Sequence, residues 1–411
     1  MSANPLPRLA CTPAAALVVL VAVLCTWPAP LAAQRRATTG GAPAESTTVV
    51  AGPEYRAGEL HRFLLGEEYR ALWTAPVRVP VLDLTRYAGG LTPTKRGGGN
   101  QTIGLRFKGA DGREYQFRSV DKVQTQTLAP SLQRTLVSRV VQDQVAALHP
   151  VSSLVAAPLM QAAGVLHVAP TLYVLPDDPR LGEFRGEFAG RLGTLELRPD
   201  VDEGDAPNFA GAVKVASSEK FLEHLEEKAT NQVDARDYLT ARLMDLYFDD
   251  WDRHEDQYRW ARFDSAGVHR WRAIPRDRDY AFADYDGALL TVARRSLPKA
   301  TRFRGQYPKS IYELIESAHD LDPRLLAPLG REEWDSVTLA LQARLSDAVI
   351  ENAVRQMPPE YYALNGEHLA RTLRERRDRL PEVSARFYRA MAEEPEIHAT
   401  DESERAEVER L

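Results

Sequence analysis

The amino-acid sequence predicts an α+β protein in two lobes: a small β-rich lobe with one main helix over residues 53–198, and a larger helical lobe over residues 199–392. Three observations lead there. Short alternating apolar runs, separated by turn signals, fill the chain up to residue 198 in the order three strands, helix, two strands. From Ser217 onward the apolar spacing changes to the helical period. With 411 residues, 44% hydrophobic and 27% charged, the apolar content suffices for one two-lobed domain or two small ones.

Residues 1–33 read as a secretory signal peptide: Arg8, an apolar run from Ala14 to Leu24, then small residues ending Leu31-Ala32-Ala33. Cleavage near Ala33 would deliver the protein to the periplasm or the exterior. The apolar run is shorter than the roughly 18–20 residues of a membrane span. Both cysteines, Cys11 and Cys25, fall inside it, so the mature chain has neither a disulfide framework nor a reactive thiol. Loss of Arg8 takes the formal charge from −6 to −7, which argues against nucleic acid as the main partner and suits an acidic site holding Mg²⁺ or Mn²⁺. Residues 34–52, small and polar, read as a flexible linker.

A helix is expected over residues 59–73 and a strand over 77–84. The glycine-rich stretch from Gly89 to Asn100 follows, with Lys95, Arg96, Gly97, Gly98 and Gly99, and then a strand over 102–107. Strand, glycine loop, strand is an order that can cradle a phosphate, because glycines let backbone N–H groups approach an anion; a plain mobile hairpin has the same pattern. After the turn Ala110-Asp111-Gly112, residues 114–122 form a third strand carrying Arg118 and Lys122, either of which can present a cation. Helices over 132–149 and 154–163, with a turn at Gly164, and strands over 165–175 and 188–197 complete the small lobe. Glu196-Leu197-Arg198 then lies where the chain crosses between lobes and a nucleotide's adenine edge would meet the backbone. Residues 200–216 read as an acidic surface loop, and 393–411 as an acidic tail or linker.

The chemistry concentrates between Asp245 and Gly287. A helix over 233–248, capped by Asp234 and with a stripe at Leu239, Leu243, Leu246 and Tyr247, delivers Asp252. Gln257 stands five positions on. In kinase-type phosphoryl-transfer sites an Asp orients the nucleophile while an amide at this spacing and a second carboxylate hold a metal. Strands over 258–263 and 269–274, joined by Asp264-Ser265-Ala266-Gly267, form a hairpin that returns Asp277 and Asp279 beside Asp252 and Gln257.

Trp251-Asp252-Arg253 and the run Ile274-Pro275-Arg276-Asp277-Arg278-Asp279-Tyr280-Ala281-Phe282 resemble the CotH-like atypical kinases, the spore-coat protein kinase family, whose matching stretch reads Pro-Trp-Asp-Phe-Asp-x-x-Phe. Residues 157–165 and 186–196 also look like that family's small lobe, and Asp252-Arg253-His254 looks like the phosphoinositide lipid kinases. The chain as a whole looks like secreted bacterial proteins of the group whose longer members continue into an outer-membrane β-barrel. The resemblance implies a two-lobed, protein-kinase-like fold, with Asp252 as base, Gln257, Asp277 and Asp279 on Mg²⁺ or Mn²⁺, and ATP or another nucleotide held by Gly97–Gly99, Arg118 or Lys122, Glu196 and Arg198. Gln257 stands where the family has Asn. Residues 132–149 contain no Glu to pair with the small-lobe cation, only Gln142, Asp143 and Gln144.

Two function classes follow. One is an exported phosphotransferase acting on a protein or small-molecule acceptor; the other is an inactive pseudokinase serving as a binding or scaffolding module of the cell envelope. A metal-dependent hydrolase built on Asp277, Asp279 and His254 lacks a second His at ligand spacing. Each residue also has a structural reading: a polar cluster tying Arg253, Arg276 and Arg278 to their carboxylates, a supporting or core role for His254, a turn at Asp284 and Asp286, and core anchors at Trp251, Trp260 and Trp271.

Overall fold

The computed structural model describes residues 46–98, 102–129, 131, 133–199, 209–294, 299–393 and 396–403. The expected signal peptide, Gly99, most of the acidic loop and most of the tail lie outside them. Strands β1 (Ser46–Val50) and β2 (Pro76–Pro80) pair antiparallel, so the expected linker stops short of Gly52. The β-branched run in Ser46-Thr47-Thr48-Val49-Val50 favours an extended chain, and its partner strand sinks Val77 and Val79 into the main core.

The small-lobe sheet contains β3 (Leu91–Gly97), β4 (Thr102–Gly109), β5 (Glu114–Lys122), β6 (Thr171–Val174) and β7 (Leu192–Leu197), antiparallel in the order β3-β4-β5-β7-β6. Strand alternation sends Tyr115 and Phe117 into a core with Leu105, Phe107 and Leu195, and puts Gln116, Arg118, Val120 and Lys122 on the opposite face. Much of the expected glycine loop is strand: Lys95 and Arg96 lie on β3, where Arg96 pairs with Glu187 at 3.0 Å. Pro93 is tolerated because β3 is an edge strand with a register shift at that point. The expected helix over 59–73 is two, Glu59–Leu65 and Arg70–Thr74. Gly66 breaks it at φ +104°, where a side chain would collide with the Asp286 carboxylate.

The helix expected over 132–149 shortens to Leu136–Asp143 followed by a 3₁₀ turn, and the next runs Ser152–Ala163 to a left-handed cap at Gly164. Val155, Leu159 and Met160 of that second helix share one core with Leu243, Trp334, Leu341 and Ile350, and with Val77 and Val120 of the preceding strands. The larger lobe holds a four-stranded sheet, β8 (Lys214–Ala216), β9 (Asn231–Val233), β10 (Tyr258–Ser265) and β11 (Val268–Pro275), in the order β8-β10-β11-β9. β8 falls in the stretch read as a loop; Ala216 and Val215 pair with Trp260 and Ala261. The hairpin forms as expected, with Ala266 and Gly267 both at positive φ, as a two-residue turn between twisted strands requires.

Asp234 caps the helix Ala235–Phe248, accepting from the Asp237 N–H at 3.1 Å. The helix is buried on every face rather than along one stripe. Arg242 enters that interior because Asp245 and Asp322 accept its protons at 2.7–2.8 Å. The remainder is mostly helical, including Arg331–Arg344, Asp347–Val354, Glu367–Asp378 and Leu380–Glu393. Among the described residues no single helix is long and apolar enough to cross a membrane.

Candidate functional site

The site begins at the open end of the β10–β11 hairpin, where the two outer strand termini meet. Tyr258 opposes Pro275 in register, and one residue further out the Arg276 N–H donates to the Gln257 carbonyl at 2.8 Å. The wholly buried Arg253 then ties both chains together, donating to the carbonyls of Arg276 and Asp277 at 2.8 Å each and to that of Gln257 at 3.2 Å. Its guanidinium is held from below by Asp245 and Asp250, each 3.5 Å away. Asp277 adopts a left-handed φ of 53°, which a short polar side chain tolerates better than most.

From this base Asp277 and Asp279 reach the cleft face of β5, where Asp277 pairs with Arg118 and Asp279 with Lys122. Arg118 also lies 3.7 Å from Asp279, and the Lys122 ammonium donates to the Thr102 hydroxyl at 3.0 Å. Burial works against charge on Asp277, but Arg118 and Lys122 outweigh it and hold the carboxyl well below its usual range. Asp279 moves the other way, raised by burial and by the charge of Asp277. One oxygen of Asp277, Oδ1, is buried without a hydrogen-bond partner.

Asp252 lies at the same end. Burial raises its carboxyl, with Asp277 adding to the rise and His254, Arg253 and Lys299 opposing it. His254 is not in the core: its Nε2 stands 3.9 Å from Asp252 Oδ1 and 3.4 Å from the Gln257 amide nitrogen, bridging the two. Glu196, raised by burial, lines a small pocket with Arg118, Thr194, Arg276, Asp277 and Asp279.

Asp252, Gln257, Asp277, Asp279, Arg118 and Lys122 are thus brought to one place, and Glu196 borders it. Both Arg118 and Lys122 engage the acid pair. Arg198 lies elsewhere, paired with Glu114 at 2.7 Å. Gly97 ends β3 and Gly98 takes φ +100° at the hairpin tip, where a Cβ would overlap the Thr102 carbonyl oxygen. In the shortened helix, Gln142 donates to the Lys122 carbonyl at 2.6 Å while Asp143 pairs with Arg70 and His61; neither side chain takes the cations, whose partners are the acids of the opposite lobe.

The structural polar cluster exists too, one layer below, made of different carboxylates. Arg253 and Arg278 meet Asp245 and Asp250 there, leaving Asp277 and Asp279 free to face the small lobe. Trp260 and Trp271 are core residues as expected, whereas Trp251 is only partly buried and packs against Tyr280, the ring centroids 4.6 Å apart and the planes tilted by 50°. Asp284 and Asp286 do more than turn the chain: Asp284 is buried against Arg302 at 2.8 Å, and Asp286 accepts the Glu67 N–H at 2.9 Å. Sequence reasoning missed Arg253 as a clamp and Thr102 as a partner of Lys122. For Arg253 a signal existed, since an arginine between Asp250 and the returning strand has acceptors nearby on both chains.

Among the described residues no group of three or more His, Cys, Asp or Glu is arranged to hold a metal ion. No family model matches the chain, and no curated protein does. A solved structure described as the Helicobacter pylori proinflammatory kinase CtkA aligns over 74% of this chain and 95% of that one, at 11% identity and a TM-score of 0.40, a distant and general likeness of fold.

Proposed function

We propose that the protein is an exported kinase-like phosphotransferase that uses a nucleotide, ATP or another, with Mg²⁺ or Mn²⁺. The observation that supports this best is the meeting of two cations from β5 with two carboxylates from the end of β11, beside Asp252 and Gln257. The donor set fits a hard divalent cation. Asp277 Oδ1 is a buried oxygen in want of a partner, Asp279 stands beside it, and Gln257 adds an amide oxygen. Mg²⁺ characteristically takes only one or two protein carboxylates, its remaining ligands being water and substrate phosphates, so three acidic or imidazole groups are not required.

In this reading Asp277, Asp279 and Gln257 hold the cation, which neutralises charge on the phosphates. Arg118 and Lys122 exchange their carboxylates for phosphate oxygens, Arg118 through its two-pronged fork and Lys122 as a point charge. Asp252, made more basic by burial, takes the proton of the acceptor hydroxyl. His254 orients Asp252 and Gln257 toward each other. Export rests on Arg8, the apolar run after Ala14 and the small residues ending at Ala33.

A pseudokinase binding module of the envelope is the second reading, favoured by one observation: each cation already neutralises an acid, so the site is balanced without a ligand. Thermal shift and label transfer separate the two. The phosphotransferase should be stabilised by nucleotide and metal together, by roughly 2.7 kcal/mol at 100 times the dissociation constant, and should transfer label to an acceptor or to itself. Stabilisation without transfer to any acceptor supports the binding module, and no stabilisation under any combination refutes nucleotide use.

A further inference from the structure

The loop over residues 277–282, which carries the acid pair, is bounded by two left-handed residues. Asp277 opens it at φ 53° and Phe282 closes it at φ 66°. A short polar residue tolerates that conformation, whereas for a bulky aromatic one it is an outlier. Such a residue persists only where its surroundings over-determine it. Around Phe282 they do. Its N–H donates to the Phe248 carbonyl at 2.9 Å. Its wholly buried ring meets Phe303, Phe248 and His149 edge to face, with centroids 5.1, 5.4 and 6.1 Å away.

The Phe282 carbonyl is taken by a residue 213 positions away in sequence: the Tyr69 hydroxyl donates to it at 2.8 Å. Tyr69 stands just before the helix Arg70–Thr74, buried, with its ring 5.0 Å from that of His149. Burial raises its phenol well above the ordinary range, so the hydroxyl remains a donor. The segment around it is fixed to the same stretch of chain. Asp286 accepts the Glu67 N–H at 2.9 Å, and a Cβ on Gly287 would overlap the backbone of Leu65 and Gly66. At the other end of the loop Arg253 holds the Asp277 carbonyl at 2.8 Å, and midway the Ser152 hydroxyl donates to the Arg278 carbonyl at 2.7 Å. Entry, middle and exit are thus each held from a different part of the chain, the exit from the N-terminal one.

We infer that Tyr69 is a positioning residue for the acid pair: by holding the Phe282 carbonyl it keeps the last residue of the loop left-handed, and so sets where Asp277 and Asp279 stand opposite Arg118 and Lys122. Without the hydroxyl the carbonyl is a buried acceptor with no partner, on a residue whose own backbone preference is elsewhere. Relaxation of Phe282 toward negative φ turns the chain on either side of it and carries the carboxylates with it. The consequence for metal binding rests on the phosphotransferase reading above; the consequence for the loop does not.

The test is Tyr69→Phe in the full chain, which keeps the ring against His149 and deletes the hydroxyl. Tyr307→Phe is the control, because it removes another buried tyrosine-to-carbonyl bond, to Arg376 at 3.2 Å, outside the loop. Two measurements are made on each: amide exchange, and titration with Mn²⁺ alone. The amides of Ala281, Phe282 and Ala283, bonded to the carbonyls of Arg278, Phe248 and Tyr280, should exchange at least about tenfold faster in Tyr69→Phe than in the wild type or the control. Affinity for Mn²⁺ should fall by about 10- to 100-fold, the usual cost of removing support from behind metal ligands, and should hold in the control. Unchanged protection of the three amides, or an equal loss in Tyr307→Phe, overturns the inference. Wild-type Mn²⁺ affinity in Tyr69→Phe overturns the role in the site. If the wild type binds no Mn²⁺, the metal reading fails and exchange alone decides whether Tyr69 holds the loop.

Discussion

Replacing Arg253 by Met keeps a side chain of similar reach and deletes every hydrogen bond it makes. In the folded protein that side chain satisfies three carbonyls, at 2.8, 2.8 and 3.2 Å, and faces Asp245 and Asp250 at 3.5 Å. Each orphaned buried acceptor costs about 1–3 kcal/mol, and removing one partner of a buried charge network costs about 3–5 kcal/mol. These do not add in full. Asp245 keeps Arg242, Arg278 and the Tyr258 hydroxyl, and Asp250 keeps Arg278, so the expected loss is about 3–5 kcal/mol in all. Urea unfolding measures it. Amide exchange supplies the local signature: the Arg276 N–H, bonded to Gln257, should exchange faster, because the clamp that keeps the two chain ends together is gone. Arg278→Met is the control. It removes one partner from each of the same two carboxylates but touches none of the three carbonyls, so stability should fall while the Arg276 amide stays protected. A loss under about 1 kcal/mol for Arg253→Met, or unchanged protection at Arg276, would refute the clamp.

Asp252→Asn should lower turnover by about 10²- to 10⁴-fold with nucleotide affinity kept, since a proton acceptor acts mainly in the transition state; full activity in the variant rules Asp252 out as the base. Asp277→Asn should instead weaken metal-dependent nucleotide binding, read by titration with and without Mg²⁺. Gly98→Ala should cost at least about 1 kcal/mol in unfolding free energy, because φ +100° and the Thr102 carbonyl both exclude a Cβ; an unchanged melting temperature counts against this hairpin tip. Burial pushes Asp284 up to about 7, against the pull of Arg302. The folded state therefore holds that proton more tightly than the unfolded chain, whose Asp titrates near about 3.9. Its contribution is complete below about pH 4 and is lost as pH rises to about 7, by at most about 1.4 kcal/mol per pH unit. Asp284→Asn should remove that slope, so urea midpoints at pH 5 and pH 7 should diverge less in the variant than in the wild type.

Short-range physics in the sequence determined a good deal. Period-two runs and the Asp264–Gly267 turn specified the β10–β11 hairpin, and with it the return of Asp277 to Gln257. Alternation on residues 114–122 placed Arg118 and Lys122 on one face, and an Asp before an apolar period marked the start of the helix Ala235–Phe248. Each of these signals acts across a few residues, through backbone hydrogen bonds and the direction of successive side chains. Tertiary structure decided what such signals do not contain. Arg118 finds Asp277 and Lys122 finds Asp279 across more than 150 residues of chain, a choice made by how two sheets face each other. Gly66 breaks a helix because Asp286 packs against it from another segment, and β1 becomes a strand because β2 offers it an edge. The helix Ala235–Phe248 can bury Arg242 and Asp245 on faces that its pattern marked as polar, because Asp322, Arg253, Arg278 and Tyr258 arrive there to satisfy them. Charge in an interior is tolerable only when its partners are already in place, and folding alone supplies them.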